Sequence, residues 1–169
     1  MEYSRRKPTR LRCYNYSNPG GYFVTICTKG KKKLFGEVVG GGALDAPQMV
    51  LSEIGRVAEQ ELLSIENYYE NVTIDKYVVM PNHIHLLIRI TERINPFPTK
   101  QYDIPNVVGK YKAAVTRHVG NAFMHSVKLW QTSYHDHIIR NEADYRRIWE
   151  YIDTNPVKWK EDCFYVAEE

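Results

Sequence analysis

Three groups of residues in this chain have types and spacings that could do chemistry. The first is the run Met80-Pro81-Asn82-His83-Ile84-His85-Leu86-Leu87-Ile88. Side chains alternate along a strand, so His83 and His85 share one face and Ile84 takes the other. Their Cα atoms then stand about 6.5–7 Å apart. Two imidazoles leaning towards one point can hold a divalent ion between them. In so apolar a segment both rings are buried and need polar partners, and a metal is one. The pair does not select the ion, since imidazole suits zinc, manganese, iron and nickel alike. The second group, His135-Asp136-His137, repeats the spacing in a shorter segment, with its carboxylate turned to the opposite face. The simpler role for it is structural, with His137 hydrogen-bonded inside the fold. The third group lies near the C-terminus. Tyr145, Ile148, Trp149 and Ile152 recur at the spacing of an apolar helix stripe. Tyr151 falls roughly 110° from the centre of that stripe, and Asn155 lies one turn later on the same side. This flank offers a phenol and an amide beside the core face. Taken alone, both are ordinary helix residues.

Elements that must carry these groups can be read from the periodicity. Residues 21–28 (GYFVTICT) are β-branched and aromatic and predict a strand. A charged turn follows at residues 29–33, and residues 34–39 return as a second strand. Gly40-Gly41-Gly42 opens a loop reaching to about Pro47. Val50, Ile54, Val57, Ala58, Leu62 and Ile65 predict a helix over residues 50–69. Residues 72–80 form a strand that Pro81-Asn82 interrupts, and residues 83–90 (HIHLLIRI) form the most apolar and therefore central strand. Residues 91–102, with Pro96 and Pro98, read as a linker. Pro105 starts a helix ending at Gly120. Short strands around Trp130 and over residues 134–139 precede a last helix that Asn141 caps, with Asp144 as capping-box partner. Asn155-Pro156 ends it. The order β-β-α-β-β-α-β-α, with helices on one antiparallel sheet, is an α+β fold. Residues 1–20 read as a basic N-terminal arm and residues 21–169 as a single domain.

Composition narrows the function classes further. At 43% hydrophobic and 25% charged, the 169 residues are globular rather than disordered. No apolar run is long enough to span a membrane, and no apolar stretch follows the basic start to make a secretory signal, so the expected location is cytoplasmic. The odd cysteine count, Cys13, Cys27 and Cys163, argues against a disulfide framework and for reduced thiols. The net charge of +3 is too small to announce a nucleic-acid binder, but its distribution is uneven. Arg5, Arg6, Lys7, Arg10 and Arg12 crowd the arm, and Lys31, Lys32 and Lys33 the turn. Glu161, Asp162, Glu168 and Glu169 make the other end acidic. The basic groups are candidate phosphate contacts. Thirteen tyrosines suit base stacking and ordinary cores equally, so they decide nothing.

Taken together, the motifs resemble the HUH single-tyrosine transposases, above all the REP-associated tyrosine transposases. The matching residues are the Met80–His85 run, Trp130-Gln131, and Tyr134 with Asp136-His137-Ile138-Ile139-Arg140. Asp144-Tyr145 and Tyr151-Ile152-Asp153-Thr154-Asn155-Pro156-Val157-Lys158 complete them. The resemblance spans roughly residues 21–165. It implies a ferredoxin-like antiparallel sheet with the histidine motif on a central strand. It implies a divalent metal, magnesium or manganese, and single-stranded DNA folded as a hairpin. By position, Tyr151 is the nucleophile and His83 and His85 are metal ligands. Asn155 stands where many relatives carry a glutamine that completes the metal site. The implied chemistry is nicking and rejoining through a 5′-phosphotyrosine, with no nucleotide cofactor. Relatives include monomers and dimers, so a homodimer stays open. Two rivals remain: a domesticated hairpin-binding protein that does not cut, and a metal-dependent phosphoesterase that uses water in place of Tyr151.

Overall fold

β-Branched and aromatic segments become strands wherever a second such segment can satisfy their backbone groups. The computed structural model describes residues 14–41, 46–92, 102–123 and 128–167. In chain order these form strand β1 (Gly20–Cys27), strands β2 (Gly36–Val39) and β3 (Gln48–Leu51), and helices α1 (Glu53–Leu63) and α2 (Ile65–Tyr68). Strands β4 (Val72–Met80) and β5 (His83–Ile90), helix α3 (Ile104–Phe123), strand β6 (His135–Ile139) and helix α4 (Glu142–Thr154) follow, and a 3-10 turn at Trp159–Glu161 comes last. The main sheet is antiparallel in the order β4-β5-β1-β6. The strand with the histidine motif is therefore interior, as its apolar run requires.

The alternation of β5 divides the molecule. Ile84, Leu86, Ile88 and Ile90 join Tyr22, Val24 and Ile26 of β1 on one face, where Ala58 and Leu62 of α1 and Val107, Val108, Tyr111 and Val115 of α3 cover them. This is the principal core. The buried Tyr111 hydroxyl donates to the Ala58 carbonyl at 2.9 Å and ties the two helices together. On the opposite face α4 lays Ile148 and Ile152 against Leu87, with Phe23, Val78 and Ile139 around them. A sheet with two helices on one face is the expected α+β, ferredoxin-like arrangement, and α4 closes the other side.

Several expectations change in detail. Residues 34–39 do not enter the main sheet. Gly30 and Lys31 adopt left-handed conformations (φ 67° and 54°) in the turn after β1, and the Phe35 amide donates to the Pro81 carbonyl. The chain is thereby turned away, and β2 pairs with β3 in a separate two-stranded sheet. Val50 belongs to β3, not to the first helix. Its four-residue spacing from Ile54 mimics a helix, but the Ser52 hydroxyl caps α1 by accepting from the Gly55 amide. At Gly55 a side chain would meet the Phe35 carbonyl at 2.0 Å, so glycine lets α1 approach that closely. Helix α3 passes through Gly120 to Phe123. Trp130 makes a single bridge to Thr28 rather than a strand. Asn141 caps α4 as expected, but Asp144 turns to His137 and Arg147 and does not complete the box. Trp149, placed in the apolar stripe by spacing, is 38% exposed. Cys27 is buried and free and Cys163 exposed and free. Of the segment 1–20 read as an arm, the part with Arg5, Arg6, Lys7, Arg10 and Arg12 lies outside the described residues, whereas Tyr16 is buried in the principal core and its carbonyl accepts from the Ile104 amide. Among the described residues no helix is long and apolar enough to cross a membrane.

Candidate active site

Pro81 and Asn82 form a two-residue tip between β4 and β5, with Met80 opposite His83. His83 and His85 follow on the face away from the principal core, next to Leu87. Both rings are essentially inaccessible to solvent. Their Nε2 atoms stand 3.0 Å apart. Two adjacent ligands of an octahedral ion, at right angles and about 2.1 Å from it, are separated by about 3.0 Å, so this spacing matches a shared metal.

Each ring is oriented through its Nδ1. That of His85 meets the Thr25 hydroxyl of β1, its cross-strand partner, at 2.8 Å. That of His83 meets Asn82 Oδ1 at 2.9 Å. Asn82 is fully buried, and its Nδ2 already donates to two carbonyls, Lys31 at 3.1 Å and Phe164 at 2.8 Å. Its oxygen must therefore face His83, which fixes the proton on Nδ1 and leaves the Nε2 lone pair pointing into the site. Burial holds His83 down at about 4, against the opposing pull of the Asp162 carboxylate. Burial, and then the neighbouring His83, hold His85 well below its usual value. At neutral pH the two imidazoles are uncharged, the form in which histidine binds metal.

Helix α4 brings the phenol to this pair. Ile148 and Ile152 seat it on Leu87, two residues from His85 along the same strand face. Tyr151, on the flank, then projects between Phe23 and His85, with ring centroids 5.9 and 5.1 Å away. Its hydroxyl lies 3.2 Å from His85 Nε2. Tyr151 is 38% exposed, so its ring is open to a bound molecule on one side. Burial, and then the Asp162 charge, push its phenol up, which keeps it protonated at neutral pH. Asn155, one turn on, is buried. Its Nδ2 donates to Asp162 Oδ2 at 2.8 Å, while its Oδ1 is buried with no hydrogen-bond partner.

Asp162 was not among the residues expected here; the sequence offered it only as part of an acidic end. Its Oδ2 also accepts from Tyr151 at 3.2 Å, and its Oδ1 from the Phe164 amide at 2.7 Å. One ligand atom from each of His83, His85 and Asp162 lies within 4.8 Å of the others. The segment around it is anchored by side chains. Phe164 stacks at 4.6 Å from His83, Trp159 lies 5.9 Å from the same ring, and Lys31 Nζ donates to the Cys163 carbonyl. Lys31 therefore serves the site wall, and Lys33 lies over the Tyr165 ring at 5.8 Å. Lys32 is exposed. The rival pair lies two strands from β5, on edge strand β6, where His137 is hydrogen-bonded to Asp144 at 2.7 Å and the His135 ring stands 6.5 Å from Phe164. The nearest signal for Asp162 in the sequence was its setting among Trp159, Phe164 and Tyr165, beyond the end of a helix.

The chain matches the family described as transposase IS200 like over residues 48–155. It is 36% identical to an uncharacterised protein of Haemophilus influenzae, over 95% of this chain and 93% of that one. It is 31% identical to the REP-associated tyrosine transposase of Escherichia coli, over half of this chain and 44% of the relative. Among solved structures, a REP-associated tyrosine transposase bound to a REP hairpin shares the fold, with a TM-score of 0.60 at 21% identity, covering 94% of this chain and 74% of that one. The family match takes in the histidine pair, the tyrosine and the asparagine that the fold gathers at one point, and the chain belongs to the IS200-like transposase family.

Proposed function

We propose that this transposase nicks and rejoins single-stranded DNA next to a hairpin, with Tyr151 as nucleophile and a divalent ion, magnesium or manganese, at His83 and His85. The single observation that carries this reading is the 3.2 Å approach of the Tyr151 hydroxyl to His85 Nε2, at the mouth of a neutral imidazole pair. The residues fit an ion: two Nε2 atoms at the spacing of a shared metal and a carboxylate within reach, which Asn155, the third residue expected at the metal site, meets through its Nδ2.

A divalent ion held by His83 and His85 would act as a Lewis acid and withdraw charge from the phosphate. The Tyr151 oxygen bonds to phosphorus and loses its proton, while the bond to the 3′ oxygen breaks and that oxygen gains one. A 5′-phosphotyrosine and a free 3′-hydroxyl result, and the ester retains the energy for rejoining. Phe23 packs edge-on against the Tyr151 ring and limits its swing. The basic arm and Lys32 are the candidate contacts for DNA phosphates.

The test is incubation with single-stranded hairpin DNA and manganese, scored for a covalent protein–DNA species on a denaturing gel. Tyr151→Phe should bind the DNA as the parent does and form no adduct. An adduct that survives in Tyr151→Phe and disappears in Tyr145→Phe or Tyr134→Phe would place the nucleophile elsewhere. Cleavage by Tyr151→Phe without an adduct would identify a hydrolase, and DNA binding without cleavage by the parent a binding protein.

A further inference from the structure

The geometry points to Asp162 as the third protein ligand of the divalent ion, with Asn155 as the residue that orients its carboxylate. This rests on the proposed metal site at His83 and His85. Asp162 lies seven residues past the end of the family match, so the family pattern does not account for it. Two uncharged imidazoles and an amide are a poor donor set for magnesium or manganese, which prefer oxygen and benefit from an anionic ligand. The Asp162 carboxylate, with an oxygen within 4.8 Å of a ring nitrogen of each histidine, supplies that oxygen and that charge.

Its position is fixed on every side. Oδ1 is held by the Phe164 amide, and Oδ2 by Asn155 Nδ2 and the Tyr151 hydroxyl. The amide edge that Asn155 turns to the carboxylate is its nitrogen, which has no lone pair to give a metal. Reversing the amide would set two oxygens against each other at 2.8 Å. The backbone on either side is pinned as well, the Cys163 carbonyl by Lys31 and the Phe164 carbonyl by Asn82. Asn82 thus orients His83 with one end of its amide and the Asp162 segment with the other, so ligands from two distant parts of the chain share one support.

Manganese titration of the full chain by calorimetry tests the assignment. Asp162→Asn keeps size and hydrogen-bonding reach but removes the charge, and should weaken binding at least about tenfold, the lower end of the loss seen when metal-site support is removed. Asn155→Ala should weaken it less. A second measurement reports ligation directly: with cobalt(II), Asp162→Cys in a Cys163→Ser background should show a thiolate-to-cobalt charge-transfer band that Cys163→Ser alone lacks. Parent-like affinity in Asp162→Asn, a larger loss in Asn155→Ala than in Asp162→Asn, or no such band would each overturn the assignment. Manganese binding that is absent from the parent, or that survives in His83→Ala/His85→Ala, would overturn the underlying metal site, and this assignment with it.

Discussion

Replacing Asn82 with alanine should damage stability and metal binding together. The side chain is fully buried and makes three hydrogen bonds: to the Lys31 and Phe164 carbonyls through Nδ2, and from His83 Nδ1 to Oδ1. At about 1 kcal/mol net for each, the loss is about 3 kcal/mol, before any cost of leaving buried polar partners unsatisfied. In a chain of this size 1 kcal/mol moves the melting midpoint by about 2–4 °C, so a drop of roughly 6–12 °C is expected. Urea titration should show a lower midpoint with an unchanged slope, because the surface exposed on unfolding is the same. Two further readouts separate the proposed role from generic core damage. Amide exchange should quicken over residues 159–165, which lose an anchor, more than over β5. Nitrogen shifts of His83 should report Nδ1 protonation in the parent and a mixture of tautomers in Asn82→Ala. Asn82→Asp is the sharper variant. It still accepts from His83 but turns two donated bonds into contacts between oxygens, so it should be at least as unstable as alanine. A stability loss below about 1 kcal/mol in Asn82→Ala, less than one ordinary net hydrogen bond, with His83 still in a single tautomer would refute the account of how the pair is oriented.

The histidine pair also predicts an acid limit. The folded state holds His83 neutral down to about pH 4, whereas the unfolded chain protonates it near 6.5, so between these values the unfolded state binds more protons. Stability from this group is complete above about pH 6.5 and falls by about 3 kcal/mol as pH drops towards 4. His85 acts in the same direction, and His83→Gln should flatten the stability profile over that interval. In calorimetry His83→Ala/His85→Ala should lose manganese binding and His135→Ala/His137→Ala should keep it; the opposite result would mean the wrong pair was assigned. Deleting residues 1–12 should flatten the log–log salt dependence of DNA affinity by roughly 0.7 for each single-strand phosphate that the arm neutralises, or roughly 0.9 for each phosphate of the hairpin stem. An unchanged slope would place the arm away from the DNA.

What the sequence determined by itself is what short-range periodicity can carry. The two-residue period of a strand put His83 and His85 on one face, and the turn at Pro81-Asn82 set where that strand begins. The helical period put Ile148 and Ile152 towards the sheet and left Tyr151 on the flank. Asn141 announced the start of that helix through its cap. These features depend on residues a few positions apart, so local order is enough to state them. The same reasoning misplaced Val50, because a residue four positions before Ile54 satisfies a helical spacing even when a capping serine separates them. It could not choose a partner for residues 34–39, because strand pairing is settled by a turn that redirects the chain and by hydrogen bonds to distant segments. Only the tertiary structure set Thr25 opposite His85, since that pairing joins residues sixty positions apart. Only it turned Asn82 from a hairpin residue into the support of His83. And only it brought Asp162 from an acidic, aperiodic end of the chain into the site, through Asn82, Lys31 and Asn155. No pattern within residues 159–165 encodes that placement. It follows from where the fold leaves unsatisfied carbonyls and donors, and those exist only once the sheet and α4 have met.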